Sequence, residues 1–142
     1  MTNKLTPYIE YYLNGNVWIK GQKNSKGQEE GLWVWFYENG NTLLRTPYKE
    51  GNKDGIEEWF YKNGNIRWRI QYVEGNKDGI DEGFYENGNI QWRTPYKEGK
   101  KDGVEERFYE NGNIHWRTPY KEGNIDGIKE VFRENGNIRI PF

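Results

Sequence analysis

The chain has 142 residues, enough for one domain of ordinary size, and sets 21 Lys and Arg against 22 Asp and Glu for a net charge of -1. That balance leaves no electrostatic footprint for nucleic acid or an anionic membrane, and the lack of cysteine excludes disulfides and thiolate-bound metals. Hydrophobic residues are only 33% of the total, yet aromatics reach 17% and alanine is absent, a bias toward sheet over helix.

The opening stretch, Met1-Thr2-Asn3-Lys4-Leu5-Thr6-Pro7, lacks the apolar run of a signal peptide, and a cytoplasmic location is the expectation. No apolar run anywhere approaches the ~20 residues of a membrane span. From residue 14 onward the chain repeats. Asn-Gly-Asn stands at 14–16, 39–41, 63–65, 87–89, 111–113 and 135–137, so that after a first interval of 25 residues the step is a constant 24. Glu-Gly (50–51, 74–75, 98–99, 122–123) and Asp-Gly (54–55, 78–79, 102–103, 126–127) keep the same step. The spacing predicts a single repeat domain over 1–142. Residues 1–26 form an irregular hairpin cap, 27–126 four regular repeats, and 127–142 a second cap.

Each unit reads as a β-hairpin. In 55–72, Ile66, Trp68, Ile70 and Tyr72 alternate with Arg67, Arg69 and Gln71, the pattern of a half-buried strand. Asn63-Gly64 is the expected two-residue type I′ turn, and Glu-Gly-Asn-Lys-Asp-Gly links one hairpin to the next. Counting outward from that turn pairs Tyr61 with Ile66, Phe60 with Arg67, Trp59 with Trp68 and Glu58 with Arg69; the same count pairs Glu82 with Arg93 and Glu106 with Arg117. Opposite charges facing one another three times support the register. One face then carries Trp59, Tyr61, Ile66 and Trp68, and the other Ile56, Phe60 and the Glu58–Arg69 pair. The fold class expected is all-β: an elongated, open, single-layer antiparallel meander of about six 24-residue hairpins and eleven or twelve strands. Phe36, Phe60, Phe84, Phe108 and Phe132 should form one ladder, and Ile66, Ile90, Ile114 and Ile138 another.

The unit Asp-Gly-Ile-x-Glu-x-Phe-Tyr-Glu-Asn-Gly-Asn-Ile, followed by Tyr-Lys-Glu-Gly, resembles the MORN repeat in the variant form frequent in bacterial proteins, from roughly Tyr8 onward. The resemblance implies a hairpin array that serves as a scaffold for protein contacts, with membrane or lipid contact proposed for some eukaryotic members. Bacterial proteins built from this variant are often labelled antitoxins or immunity proteins, the YwqK-like group, which implies neutralisation of a partner toxin. The family shares no catalytic residues, so none is carried over.

The residues themselves point away from catalysis. His115 is the only histidine and occupies a polar slot filled elsewhere by Arg67, Gln91 and Arg139, which reads as surface. Ser25 lies in a turn, units away from it. The neighbouring carboxylates Glu57-Glu58, Asp81-Glu82 and Glu105-Glu106 point to opposite faces of a strand and cannot converge on one substrate. Across units, Glu57, Asp81 and Glu105 share a face, an acidic row expected to be solvated or turned toward a partner. The Lys-Asp-Gly turns precede strands and offer no helix N-terminus to a phosphate, and their Asp residues are too sparse for a calcium solenoid. No enzyme, cofactor or metal is expected.

The informative slot is the one where units disagree: Trp35, Trp59, Gly83, Arg107 and Val131, opposite Leu44, Trp68, Trp92, Trp116 and Ile140. Within the fold, Trp92 would cover Gly83 and Arg107 would stack on Trp116. As a surface, Trp35, Trp59, Trp68, Trp92, Trp116 and Arg107 form an aromatic strip of the residue types that dominate interface hot spots. The expected function is a non-enzymatic protein-binding scaffold, an antitoxin or immunity protein in its specific form, that holds a protein partner on this strip. Self-association through the same strip or through open sheet edges is the nested alternative. A peripheral lipid-binding module, disfavoured by the near-zero charge, and a carbohydrate-binding aromatic repeat are the other readings.

Overall fold

The computed structural model describes residues 4–139. Its strands are β1 (Thr6–Tyr11), β2 (Val17–Lys23), β3 (Glu29–Phe36), β4 (Thr42–Lys49), β5 (Asn52–Lys53), β6 (Gly55–Phe60) and β7 (Ile66–Val73). They continue as β8 (Asn76–Phe84), β9 (Ile90–Lys97), β10 (Lys100–Lys101), β11 (Gly103–Phe108), β12 (Ile114–Lys121), β13 (Asn124–Ile125) and β14 (Glu130–Val131). All fourteen belong to one antiparallel sheet that follows chain order, with β5, β10 and β14 pairing beside the main path with β4, β9 and β12, and the described residues contain no helix. The expected single-layer meander is what folds. The strand number exceeds the expected eleven or twelve because short pairs (β5, β10, β13) sit beside the linking turns. Ile140 lies outside the described residues.

The type I′ turn expected at Asn63-Gly64 is not the one formed there. At Asn63-Gly64 the loop has three residues: Tyr61 N–H donates to the Asn65 carbonyl at 2.8 Å, Gly64 N–H donates to the Tyr61 carbonyl at 2.9 Å, and Gly64 sits at φ 92°. This is a type I turn closed by a left-handed glycine. The Asn63 carboxamide accepts the Asn65 amide at 2.9 Å, while the Asn65 side chain donates to the carbonyl of Glu86 in the next unit at 3.2 Å. The two-residue I′ turn falls on Glu-Gly instead, where Glu50, Glu74, Glu98 and Glu122 all sit at φ 49°.

The cross-strand register nonetheless comes out as counted at Trp59–Trp68, Glu58–Arg69, Glu82–Arg93 and Glu106–Arg117. The longer loop moves the pairing by one residue, and a bulge between Trp59 and Phe60 moves it back. Between loop and bulge the count fails: Phe60 pairs with Ile66, not Arg67, and Tyr61 does not face Ile66. The two separate apolar ladders expected are consequently one. Phe60, Phe84 and Phe108 pair with Ile66, Ile90 and Ile114 of their own hairpins, and Phe132 bridges Ile138.

Beyond the sheet ladder, units are stitched at both ends. Near the tips, the Tyr37, Tyr61, Tyr85 and Tyr109 hydroxyls donate to the carbonyls of Phe60, Phe84, Phe108 and Phe132 at 2.6–2.7 Å. At the opposite end, the Gly75, Gly99 and Gly123 amides donate to Lys53, Lys77 and Lys101 of the preceding link, each at 2.8 Å. The irregular first interval has a local cause. Where later units use Glu-Gly, the first closes Asn24 on Gln28 around three residues, with Gly27 at φ 78°, and this loop holds the additional residue.

Proline writes a second irregularity. Pro47, Pro95 and Pro119 accept the Asp54, Asp102 and Asp126 amides but have no N–H to return, and there the linking strand breaks. Gln71 fills the equivalent slot in β7, and β8 runs unbroken from Asn76 to Phe84.

Candidate functional site

Alternation in the strands sorts side chains onto two faces with different chemistry. The first face holds the disagreeing slot. Register places Trp35, Leu44, Trp59, Trp68, Gly83, Trp92, Arg107, Trp116 and Val131 in one unbroken row across the sheet. The expected strip is therefore assembled, but it packs largely on itself. Trp59 and Trp68 stack with centroids 6.1 Å apart, and Trp68 meets Trp92 edge-on at 6.0 Å. Arg107 lies between Trp92 (5.4 Å) and Trp116 (5.9 Å), and Lys129 caps Trp116 at 4.3 Å. Trp92 covers Gly83 so closely that a Cβ there would stand 2.3 Å from its ring. All five tryptophans of the row are half-buried.

Beneath them lies the carboxylate row, and here the sequence expectation is corrected. Glu57, Asp81 and Glu105 are neither solvated nor free to face a partner; they are 2%, 6% and 9% exposed. Glu57 accepts from Thr46 Oγ1 at 2.8 Å and Trp59 Nε1 at 3.0 Å, and pairs with Lys53 Nζ at 2.8 Å. Asp81 accepts from two indoles, Trp68 at 2.6 Å and Trp92 at 3.2 Å, and pairs with Lys77 at 2.8 Å. Glu105 accepts from Thr94 at 3.0 Å and pairs with Lys101 at 2.7 Å. The three lysines lie over Tyr72, Tyr96 and Tyr120 at 4.8–5.0 Å. Burial draws these ammoniums down, but hydrogen bonds and charge from the carboxylates outweigh it and hold them above their ordinary 10.5. With Trp33 and Ile70 buried in the same layer, this face is the molecule's interior, roofed by rings and lysine stems.

The second face carries a continuous ladder of alternating charge: Arg45, Glu58, Arg69, Glu82, Arg93, Glu106, Arg117 and Glu130, each in register with the next. Ion pairs close at 2.6–2.9 Å for Arg45–Glu58, Arg69–Glu82 and Arg117–Glu130, and at 3.5 Å for Arg93–Glu82. The hydrogen bond from Arg117 holds the Glu130 carboxyl below its usual range. Arg45, Arg69 and Arg117 also lie over Phe60, Phe84 and Phe132 at 5.0–5.6 Å.

Beside this ladder runs a row that sequence reasoning missed as a surface. Leu32, Ile56, Ile80, Val104 and Ile128 recur at the 24-residue step and are 39–64% exposed. Pro47, Gln71, Pro95 and Pro119 alternate with them, as Leu32–Pro47, Ile56–Gln71, Ile80–Pro95 and Val104–Pro119 pairs. At the C-terminal end, Val104, Pro119 and Ile128 join Glu106, Arg117 and Glu130 around a shallow depression of about 440 Å³. A signal for this row stands in the sequence: an aliphatic residue directly before Glu57-Glu58, Asp81-Glu82 and Glu105-Glu106, on the face opposite the tryptophans.

His115, expected at the surface, is half-buried and stacks on Tyr109 at 4.4 Å, in the slot where Arg67 covers Tyr61.

The family description "MORN repeat variant" matches three segments in phase with these hairpins, at residues 29–50, 53–74 and 101–122. Three of the chain's hairpins are MORN repeats of this variant form. The hairpin at 77–98 lies outside the matched segments and builds the same unit in the same register, with Gly83 in its Trp slot and Gln71 before it in place of proline. No curated protein matches the chain significantly. MORN repeats are generally binding and scaffold modules, and they commonly mediate protein or membrane interactions.

Proposed function

We propose that this chain is a non-enzymatic protein-binding scaffold that docks its partner on the aliphatic–proline face and its charge ladder, with the tryptophan strip serving as interior. One observation carries the reading: five aliphatic side chains in line, left in water on a sheet that has no second layer to cover them. Contiguous exposed apolar rows rimmed by polar groups mark interaction surfaces. The neighbouring ladder supplies alternating charges that reject misaligned partners. The carboxylates on the other face support a structural role, since each is already bonded to an indole or threonine and a lysine.

The narrower form of the proposal is an antitoxin or immunity protein that masks a partner toxin, and its support is the resemblance to the bacterial repeat variant. Affinity capture, identification of the captured protein and its calorimetric titration test the docking face. Ile80→Asp/Val104→Asp should weaken binding by about tenfold or more, or 1.4 kcal/mol. Trp59→Ala/Trp68→Ala, where it stays folded by circular dichroism, should leave affinity within a factor of about three. The opposite ranking would return docking to the tryptophan strip.

A further inference from the structure

The charge ladder has a symmetry that its role inside one chain does not require. Read across the sheet from β4 to β14, the eight signs alternate from Arg45 to Glu130. Because the number is even, the pattern inverts about its midpoint, which lies between Glu82 on β8 and Arg93 on β9. A twofold axis parallel to the strands at that midpoint brings a second copy face to face with the first. It carries Glu82 onto Arg93, Arg69 onto Glu106, Glu58 onto Arg117 and Arg45 onto Glu130. Every charge then meets its opposite. The same operation leaves each row facing itself, so the aliphatic–proline row lands on its own copy, Ile80 against Pro95 and Ile56 against Pro119. Isologous contacts of this kind are the commonest way for identical chains to associate.

From this match we propose that the aliphatic–charged face is a self-complementary interface, and that its occupant is a second copy of this chain. The inference rests on the reading of that face as a docking surface and names the partner. The sheet's twist does not oppose it. Under a twofold parallel to the strands, a strand and the one lying over it are rotated by the same amount, and the two twisted sheets nest at the usual ~10 Å spacing. The area suffices as well: eight strands at ~4.8 Å by three rows at ~6.8 Å (the aliphatic–proline row, the charge ladder, and Phe60, Phe84 and Phe132 under its arginines) outline roughly 800 Å² on each copy, the size of a standard stable interface. The ladder's side chains are partly exposed, and a second copy extends existing ion pairs without burying a lone charge.

The test exploits the inversion. Sedimentation equilibrium of the full chain at low salt should show a dimer at micromolar to submillimolar concentration. Glu82→Arg places like charges against the partner copy's position 93 twice over, and Arg93→Glu does the same against position 82. Each variant alone should therefore be monomeric, its dimer dissociation constant raised about tenfold or more. Mixed in equal amounts they should recover a mixed dimer, seen by native mass spectrometry. In that dimer the Glu82→Arg side chain of one copy faces the Arg93→Glu side chain of the other, so opposite charges meet again. Should Glu82→Arg fail to fold by circular dichroism, Arg69→Glu and Glu106→Arg form the next facing pair for the same mixing. Ile80→Asp should also abolish the dimer. A wild-type chain that stays monomeric overturns the proposal while leaving the docking face to the partner titration. A dimer that survives both single charge variants, or a mixture that does not pair, overturns it too and points to the sheet edges.

Discussion

Ile80 and Asp81 are consecutive in β8, yet the aliphatic residue is 39% exposed and the charged one 6%. The inversion holds along the array, with Ile56 beside buried Glu57 and Val104 beside buried Glu105. A one-layer sheet has no facing layer to make an apolar interior, so it builds its own on one side from whatever side chains are long enough to fold over. Tryptophan, tyrosine and lysine do so here, and their indole N–H and ammonium groups require acceptors beneath them. The carboxylates answer that requirement. The aliphatic side chains of the other face are too short to roof a layer and stay 39–64% exposed. Burial in this molecule is decided by side-chain reach, and hydrophobicity alone does not predict it.

Removing a carboxylate from the interior face should have the largest effect. Glu57→Ala strands Lys53, the Thr46 hydroxyl and the Trp59 indole, and should cost about 2–4 kcal/mol in urea unfolding, against less than about 0.5 kcal/mol for Glu74→Ala at the exposed turn. Next comes overpacking. Gly83→Ala drives a methyl into the Trp92 ring and should cost about 1–3 kcal/mol and shift the near-ultraviolet circular dichroism of the tryptophans. A stability loss well below that, with the signal still shifted, would mean the ring moves aside freely.

The third test is alkaline. Lys53, Lys77 and Lys101 bind their protons more tightly folded than unfolded, so their contribution is complete below their ordinary 10.5 and disappears as pH rises through the folded values. Tyr48, raised from 10.0 chiefly by burial, acts in the same direction, because the unfolded phenol ionises first. Stability measured against pH should hold flat from 7 to about 10 and then fall. A protein equally stable well above that range would show that the lysines add nothing to the interior face. The smallest effect is expected at the I′ turns: Glu74→Asn relieves a left-handed, non-glycine residue and should stabilise by roughly 0.5 kcal/mol, read as a rise in Tm.

How far the chain can be read in advance follows from the same physics. The 24-residue step, the hairpins and the Trp59–Trp68 and Glu58–Arg69 pairs are legible because periodicity and alternation report backbone pairing directly. The type I′ turn expected at Asn63-Gly64 does not form and the register is still right, because a three-residue loop there and a bulge before Phe60 displace the pairing in opposite directions. That cancellation cannot be seen without coordinates. Alternation also places Glu57, Asp81 and Glu105 on the tryptophan face. It cannot tell that Trp92 bends over Gly83 and that both Trp68 and Trp92 reach Asp81, which depends on residues from three strands. The row of Leu32, Ile56, Ile80, Val104 and Ile128 is in plain view, but aliphatic residues in a strand are ordinarily assigned to a core, and a single-layer sheet has a core on one side only.

The central claim is that one face is interior and the other is surface, and the two neighbours in β8 test it most directly. Urea unfolding of Asp81→Ala and Ile80→Ser, at protein concentrations low enough to keep the chain monomeric, compares the faces at adjacent positions. The expected loss is about 2–4 kcal/mol for Asp81→Ala and less than about 0.5 kcal/mol for Ile80→Ser. A larger loss at Ile80 than at Asp81 would contradict the claim, placing the hydrophobic interior on the face assigned here to docking.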